Sequence, residues 1–390
     1  MSSSLKASGL STRNLIGIAL IGIVLAVLPF VIGMAGQSWV RILNFALLYV
    51  MLSLGLNIVV GFAGLLDLGY IAFYAVGAYT WALLASPHFG LHLPFWAILP
   101  IALAVACLFG VLLGAPTLKL RGDYLAIVTL GFGEIIRIFL NNLNAPINIT
   151  NGPQGINRID TFKVGEFAFG RTESLFGIRF TGPEKYYYLL LALTLIIIVV
   201  CVRLQNSRIG RAWEAIREDE IAAKAMGINT RNMKLLAFGM GASFGGVSGA
   251  MFAAFQGFVS PESFSLMESV MIVAMVVLGG VGHLPGVILG AVLLAALPEV
   301  LRYVAGPLQS MTDGRLDASI LRQLFIALAM ILIMLTRPRG LWPSPEHGKS
   351  LKGRRAPDPN PGSAQAIEPG VDNPADEVPG TANRPMSINP

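Results

Sequence analysis

Three acidic residues and one arginine stand in stretches otherwise built from aliphatic side chains: Asp67, Glu134, Arg137 and Glu268. Such groups can hold a polar solute, bind a proton or cation, or neutralise one another. Asp67 lies in G-F-A-G-L-L-D-L-G-Y-I-A-F-Y-A-V-G-A-Y (61–79), where glycines at 61, 64, 69 and 77 weaken a helix. A discontinuous helix lining a cavity accommodates both the glycines and the acid, since irregular backbone is tolerated in a membrane where it meets water or solute. Tyr70, Phe73 and Tyr74 follow it and are candidates for the same lining; the competing reading makes Asp67 the N-cap of the next helix. Glu134 and Arg137, in R-G-D-Y-L-A-I-V-T-L-G-F-G-E-I-I-R-I (121–138), are three residues apart and share a helix face. They form either a structural clamp or a polar part of a pathway. Glu268 follows G-F-V-S-P-E-S-F (257–264) and opens a short apolar run, a third pathway candidate.

Two further stretches suggest mechanics. In E-A-I-R-E-D-E-I-A-A-K-A-M-G-I (214–228), Ala, Glu and Lys favour helix, Glu220 and Lys224 are spaced as an ion pair, and Gly227 is placed to end the helix. Charges fall on every side of the helix expected over 211–227, which leaves no clean apolar face for its own bundle. Such a helix is solvated or docks on a partner. Docking is favoured, through Glu214, Ala215, Glu220, Ala222, Ala223 and Gly227. Gly241, Gly245 and Gly249 repeat a small residue every turn, the spacing that lets helix backbones approach closely in lipid.

The elements that position these residues must cross a membrane. The 390-residue chain is 54% hydrophobic and 13% charged, against ~25% charged residues in soluble proteins, and its mean hydropathy is +0.67. A soluble enzyme, a secreted scaffold and a disordered chain are excluded. Cys107 and Cys201 are too few for a disulfide framework. A bilayer core of ~30 Å needs ~20 apolar residues. Runs of that kind occupy about 15–34, 42–61, 65–84, 93–113, 124–140, 186–204, 235–257, 267–280, 286–304 and 320–336. The expected fold is an all-α integral membrane bundle of about ten transmembrane helices with glycine-broken segments.

Ten spans place both termini on one side. With that side cytoplasmic, 18 of the 28 Lys and Arg lie in or flanking the inner segments 1–14, 116–123, 205–234, the turn near His283 and the tail. That asymmetry follows the positive-inside rule. The isoelectric point of 9.4 therefore reflects topology, and no nucleic acid is expected as a partner. The expected organisation is an N-terminus over 1–14, a membrane domain over 15–342 with an outer loop at 141–185 and a cytoplasmic loop at 205–234, and a disordered tail over 343–390. The tail is rich in Pro, Gly and Ser. It carries Gly348-Lys349-Ser350, the end of a phosphate-binding loop, but Pro343 stands where the first glycine belongs, so no ATP site is expected.

Taken in order, the motifs over 61–79, 121–138, 214–228 and 257–264, with V-V-L-G-G-V-G (276–282) and R-P-R-G-L (337–341), resemble the larger permease subunit of bacterial branched-chain amino-acid ABC importers. The resemblance covers most of 42–341. It implies a non-enzymatic transport subunit without cofactor or metal in the inner membrane. The implied partners are a second homologous permease, two cytoplasmic ATPase subunits, and a periplasmic binding protein that delivers leucine, isoleucine or valine. The 211–227 loop would be the coupling helix, although Ile216 follows Glu214-Ala215 and the helix carries more charge than is usual. The same architecture serves urea or short amides, and an ion-coupled carrier using Asp67, Glu134 and Glu268 is the rival from another class. The tail has no counterpart in the family.

Overall fold

The computed structural model describes residues 12–117, 120, 122–164, 167–170, 172–175, 178–311 and 340–342, with four helical pairs between 323 and 336. The expected tail and most of the tenth span therefore lie outside the described residues. The helices are α1 (Thr12–Ala35), α2 (Gln37–Asn57), α3 (Ile71–Leu84), α4 (Phe95–Thr117), α5 (Asp123–Asn142), α6 (Gly182–Gln205), α7 (Arg208–Glu218), α8 (Glu220–Ala225), α9 (Thr230–Gln256), α10 (Leu266–Gly279) and α11 (Leu284–Met311). Among the described residues six helices are long and apolar enough to cross a membrane, and three shorter apolar helices accompany them.

Burial sorts these helices into layers. Over an apolar window of 18 residues, Gln37–Phe62 is 83% buried and Thr230–Gln256 78% buried, whereas in α4, α5 and α6 about one-third of such a window is buried. The outer helices present Leu108, Ile127, Ile135, Ile196 and Val199 to the surroundings, each more than half exposed. So much exposed aliphatic surface would be a liability in water and is the ordinary outside of a protein in lipid.

At the centre α9 lies against α3 and α4 at backbone distance. A Cβ at Gly77 would overlap the backbone of Gly246, and one at Gly249 would overlap the Tyr74 carbonyl. The 241/245/249 glycine row thus does what its spacing implied. Gly245 faces Tyr70 and Phe73, and Gly241 faces the Gly55 carbonyl and Val59. Buried polar groups tie the layers: the Ser248 hydroxyl donates 3.0 Å to the Leu48 carbonyl.

The 141–185 stretch is more ordered than a plain loop. Strands β1 (Ile156–Asn157), β2 (Lys163–Val164), β3 (Phe167–Ala168), β4 (Glu173–Leu175) and β5 (Ile178–Phe180) lie within it. Pairs β2–β3 and β4–β5 are local hairpins, while β1 pairs antiparallel with β6 (Phe258–Val259) and sets Ile156 opposite Val259. Helix α6 then starts on a capping box, in which Thr181 and Glu184 satisfy each other's backbone N–H groups.

Candidate functional site

The expected span over 65–84 is helical only from Ile71. Helix α2 widens into a π-helical turn at Ile58–Phe62, and residues 63–70 run without regular helix until α3 begins. The physical cause is local: Gly64 takes φ +68, a conformation that glycine adopts without a Cβ penalty. In this link the Leu65 N–H donates to the Val59 carbonyl. An α-helix would have bonded that N–H to Gly61, so the Gly61 carbonyl is released.

Asp67 lies inside the link and is fully buried. Its Oδ1 accepts a hydrogen bond of 2.9 Å from the Gly69 N–H, and its Oδ2 has no partner among the described residues. The residue at the start of α3 is Tyr70, with no side-chain cap. Asp67 therefore supports the link three residues ahead of Tyr70 and does not cap α3. Two other helices hold the same link: Leu68 N–H donates to Thr129 Oγ1 of α5 at 3.0 Å, and Ser269 of α10 donates to the Leu68 carbonyl. Thr129 and Ser269 were not singled out in the sequence. A hydroxyl in an apolar run carries no signal there until its distant partner is known.

The aromatic candidates are buried as a packed group. Tyr70 and Phe73 meet edge-to-face at 5.8 Å, and Tyr74 meets Phe264 at 5.4 Å. The Tyr70 hydroxyl donates 2.8 Å to the Gly241 carbonyl of α9. Tyr70→Phe removes that bond and is expected to cost about 1 kcal/mol, read as a small drop in the melting temperature of the purified protein; no change would show that the bond is dispensable.

The remaining charged candidates have partners of their own. Arg137 pairs with Glu134 and, at 3.2 Å, with Glu262, to which the Asn141 amide also donates. The i, i+3 pairing of Glu134 and Arg137 is present, joined by an acid from the chain preceding α10. Glu268 accepts a hydrogen bond of 3.0 Å from the Tyr49 hydroxyl of α2.

The charged insert differs from the single helix expected over 211–227. It consists of α7 and α8, divided at Asp219, whose side chain caps α8 through the N–H groups of Ile221 and Ala222. Nor does it lack a buried face. Trp213, Ile216 and Ala223 are buried, and the Trp213 indole N–H donates 2.7 Å to the Met233 carbonyl. The apolar residues of the insert are few, but Trp213 and Ile216 fall one turn apart and so share a side. Glu220 pairs with the nearly buried Lys234 of α9 at 2.7 Å, a partner that its spacing to Lys224 had obscured. Gly227 ends α8 at φ +86 as expected. Glu214 and Ala222 are exposed, Ala215 is half-buried, and Ile221 and Met226 point outward at 68% and 84% exposure. The insert meets the broken link through Arg217, which donates 2.6 Å to the Gly61 carbonyl. A cavity of about 270 Å³ lies beside this junction, lined by Gly64, Leu65, Leu125, Ile216, Arg217 and Lys234.

Known proteins give this geometry a context. Residues 38–335 match the family described as branched-chain amino acid transport system, permease component. The chain belongs to that family. It is 44% identical to the high-affinity branched-chain amino acid transport system permease protein LivM of Escherichia coli over 83% of this chain and 74% of that one. It is also 26% identical to BraD of Pseudomonas aeruginosa, a permease protein of the same kind of system, over 80% of this chain and 96% of that one. To the permease protein LivH of Escherichia coli it is 23% identical over 76% of this chain and 92% of that one. This membrane permease is therefore related to two kinds of permease that bear different names in one organism, and it is much more similar to the LivM kind. No solved structure matches it.

Proposed function

We propose that this chain is the larger permease subunit of an ATP-driven importer and forms part of the path for leucine, isoleucine or valine handed over by a periplasmic binding protein. Its partners are a second, homologous permease and two ATPase subunits on the cytoplasmic side. About ten helices cross the inner membrane with both termini in the cytoplasm, the membrane domain spanning 15–342 and a separate tail following it. The 208–225 segment is the handle that the ATPase grips.

The observation that carries this reading is the two-sided insert. One side is fastened to the bundle through Trp213, Ile216 and Ala223, while Ile221 and Met226 stand exposed among charged neighbours. Exposed apolar residues beside Asp219, Glu220 and Lys224 do not belong in hydrocarbon, which supports a protein contact on this side of the insert. Helices α7 and α8 then act as a lever between the ATPase and the bundle. ATP-driven closure of the ATPase pair displaces the lever, and the bundle alternates between outward- and inward-open states by rigid-body movement. In the path itself, the broken 58–70 link offers the unpaired Asp67 oxygen to a zwitterion, and Tyr70, Phe73 and Tyr74, packed beside the link, are the apolar candidates for its side chain. Glu134, Arg137 and Glu268 line its charged margin.

Two substitutions test the handle. Proline fixes φ near −65°, so Gly227→Pro cannot adopt the φ of +86 found there. Glu220→Lys sets a second cation against Lys234, whose side chain is 6% exposed. That is expected to cost roughly 2 kcal/mol, less than a fully buried pair would, because the Glu220 side chain retains 28% exposure. In both variants the ATPase activity of the reconstituted complex is expected to stop responding to leucine-loaded binding protein while the subunits still insert. Unimpaired uptake of labelled leucine by both would exclude the handle.

A further inference from the structure

The insert reaches the broken helix through a side chain whose surroundings come from three separate parts of the sequence. Arg217 leaves the last turn of α7, and its Nη1–H donates to the Gly61 carbonyl, the group set free when the Leu65 N–H bonds to Val59. Gly64 lies along the stem of the side chain: a Cβ there would stand 2.8 Å from Arg217 Cγ and 3.4 Å from its Cα. Gly282, in the turn between α10 and α11, closes the far side, where a Cβ would stand 2.9 Å from Nη1. Gly64 and Gly282 both have positive φ, at +68 and +84. The Gly282 N–H in turn donates 2.9 Å to Asn57 Oδ1 on the last turn of α2, so the α10–α11 turn is bonded to the same break.

A gap-filling arginine would need only room. Here the guanidinium satisfies a carbonyl that is released because the helix is broken, and two glycines, Gly64 and Gly282, leave its place open. A cavity of about 270 Å³ leaves open space beside this contact. We propose that Arg217 is the transmission contact of this permease: a positioning residue that carries displacement of the 208–225 segment to the broken 58–70 link, on which Asp67 lies. This role rests on the insert being an ATPase handle. It adds what the handle pulls on, beside the tie that the Trp213 indole makes to the Met233 carbonyl of α9.

The test is hydrogen–deuterium exchange on the whole assembled transporter in lipid nanodiscs, with and without a non-hydrolysable ATP analogue. In the unsubstituted protein, nucleotide should alter exchange both in 208–225 and in 58–70. In Arg217→Ala the response of 208–225 should persist, that of 58–70 should vanish, and the amides of 58–66 should exchange at least about tenfold faster because the released carbonyl has lost a charged donor. Arg217→Lys keeps a cationic donor and should recover part of the response. Gly282→Ala approaches from the other side, pushing the guanidinium off its carbonyl while Arg217 remains, and should reproduce the alanine result. A nucleotide response in 58–70 that survives in Arg217→Ala or in Gly282→Ala overturns the transmission role while leaving the handle intact. Absence of any nucleotide response in 208–225 of the unsubstituted complex overturns the handle, and Arg217 is then a static tie.

Discussion

Gly77→Ala is expected to lower the stability of the purified protein by about 3 kcal/mol, a fall in melting temperature of roughly 5–10 °C. The added methyl would meet the backbone of Gly246 on α9, not a side chain that can turn aside. Relief therefore requires α3 and α9 to separate, and their separation also opens the contacts that Gly249 makes with Tyr74 and Gly245 with Phe73. In lipid there is little hydrophobic force to draw the helices back, because association there depends on close packing. Gly131→Ala supplies the contrast: a Cβ there meets nothing within 4 Å, so α5 should gain up to ~1 kcal/mol of helix propensity. Thermal unfolding of both variants in one detergent checks the pair, and equal melting temperatures would contradict the backbone contact between α3 and α9.

The double substitution Ile221→Asp with Met226→Asp is expected to weaken binding of the ATPase subunits on the order of 100-fold and to abolish uptake. These are the two most exposed large apolar side chains of the insert, and neither contributes to its anchoring on the bundle, which rests on Trp213, Ile216 and the Glu220–Lys234 pair. The insert should therefore retain its fold, and membrane insertion should be normal. Titration of purified ATPase subunits against the permease pair measures the loss. Undiminished affinity would exclude the exposed side of the insert as the proposed ATPase contact.

Several parts of this arrangement are readable in the residues alone. Hydropathy over windows of ~20 residues locates the six helices that, among the described residues, are long and apolar enough to cross a membrane, because lipid demands the same thing of every residue it touches. The glycine row at 241, 245 and 249 announces close packing through its spacing, the Glu134–Arg137 pair follows from helical geometry, and the break near 61–69 shows in its glycines. Local rules failed where the partner lies far away. Glu220 pairs with Lys234 on the next helix, a partner that no local spacing indicates. The insert looked charged on every side, yet a lone tryptophan and isoleucine one turn apart suffice to fix it.

What the amino-acid order determined, then, was a membrane permease, the places where its helices run and weaken, and the charged segment left outside them, since hydropathy, helix period and glycine content act over a turn or a span. The fold alone decided that Thr129 and Ser269 hold the Asp67 link, that α7 and α8 divide at Asp219, and that Arg217 reaches the carbonyl released at Gly61. The Thr129, Ser269 and Arg217 bonds join residues 61, 201 and 156 positions apart, and no periodicity in a chain records which distant backbone will stand opposite a given side chain.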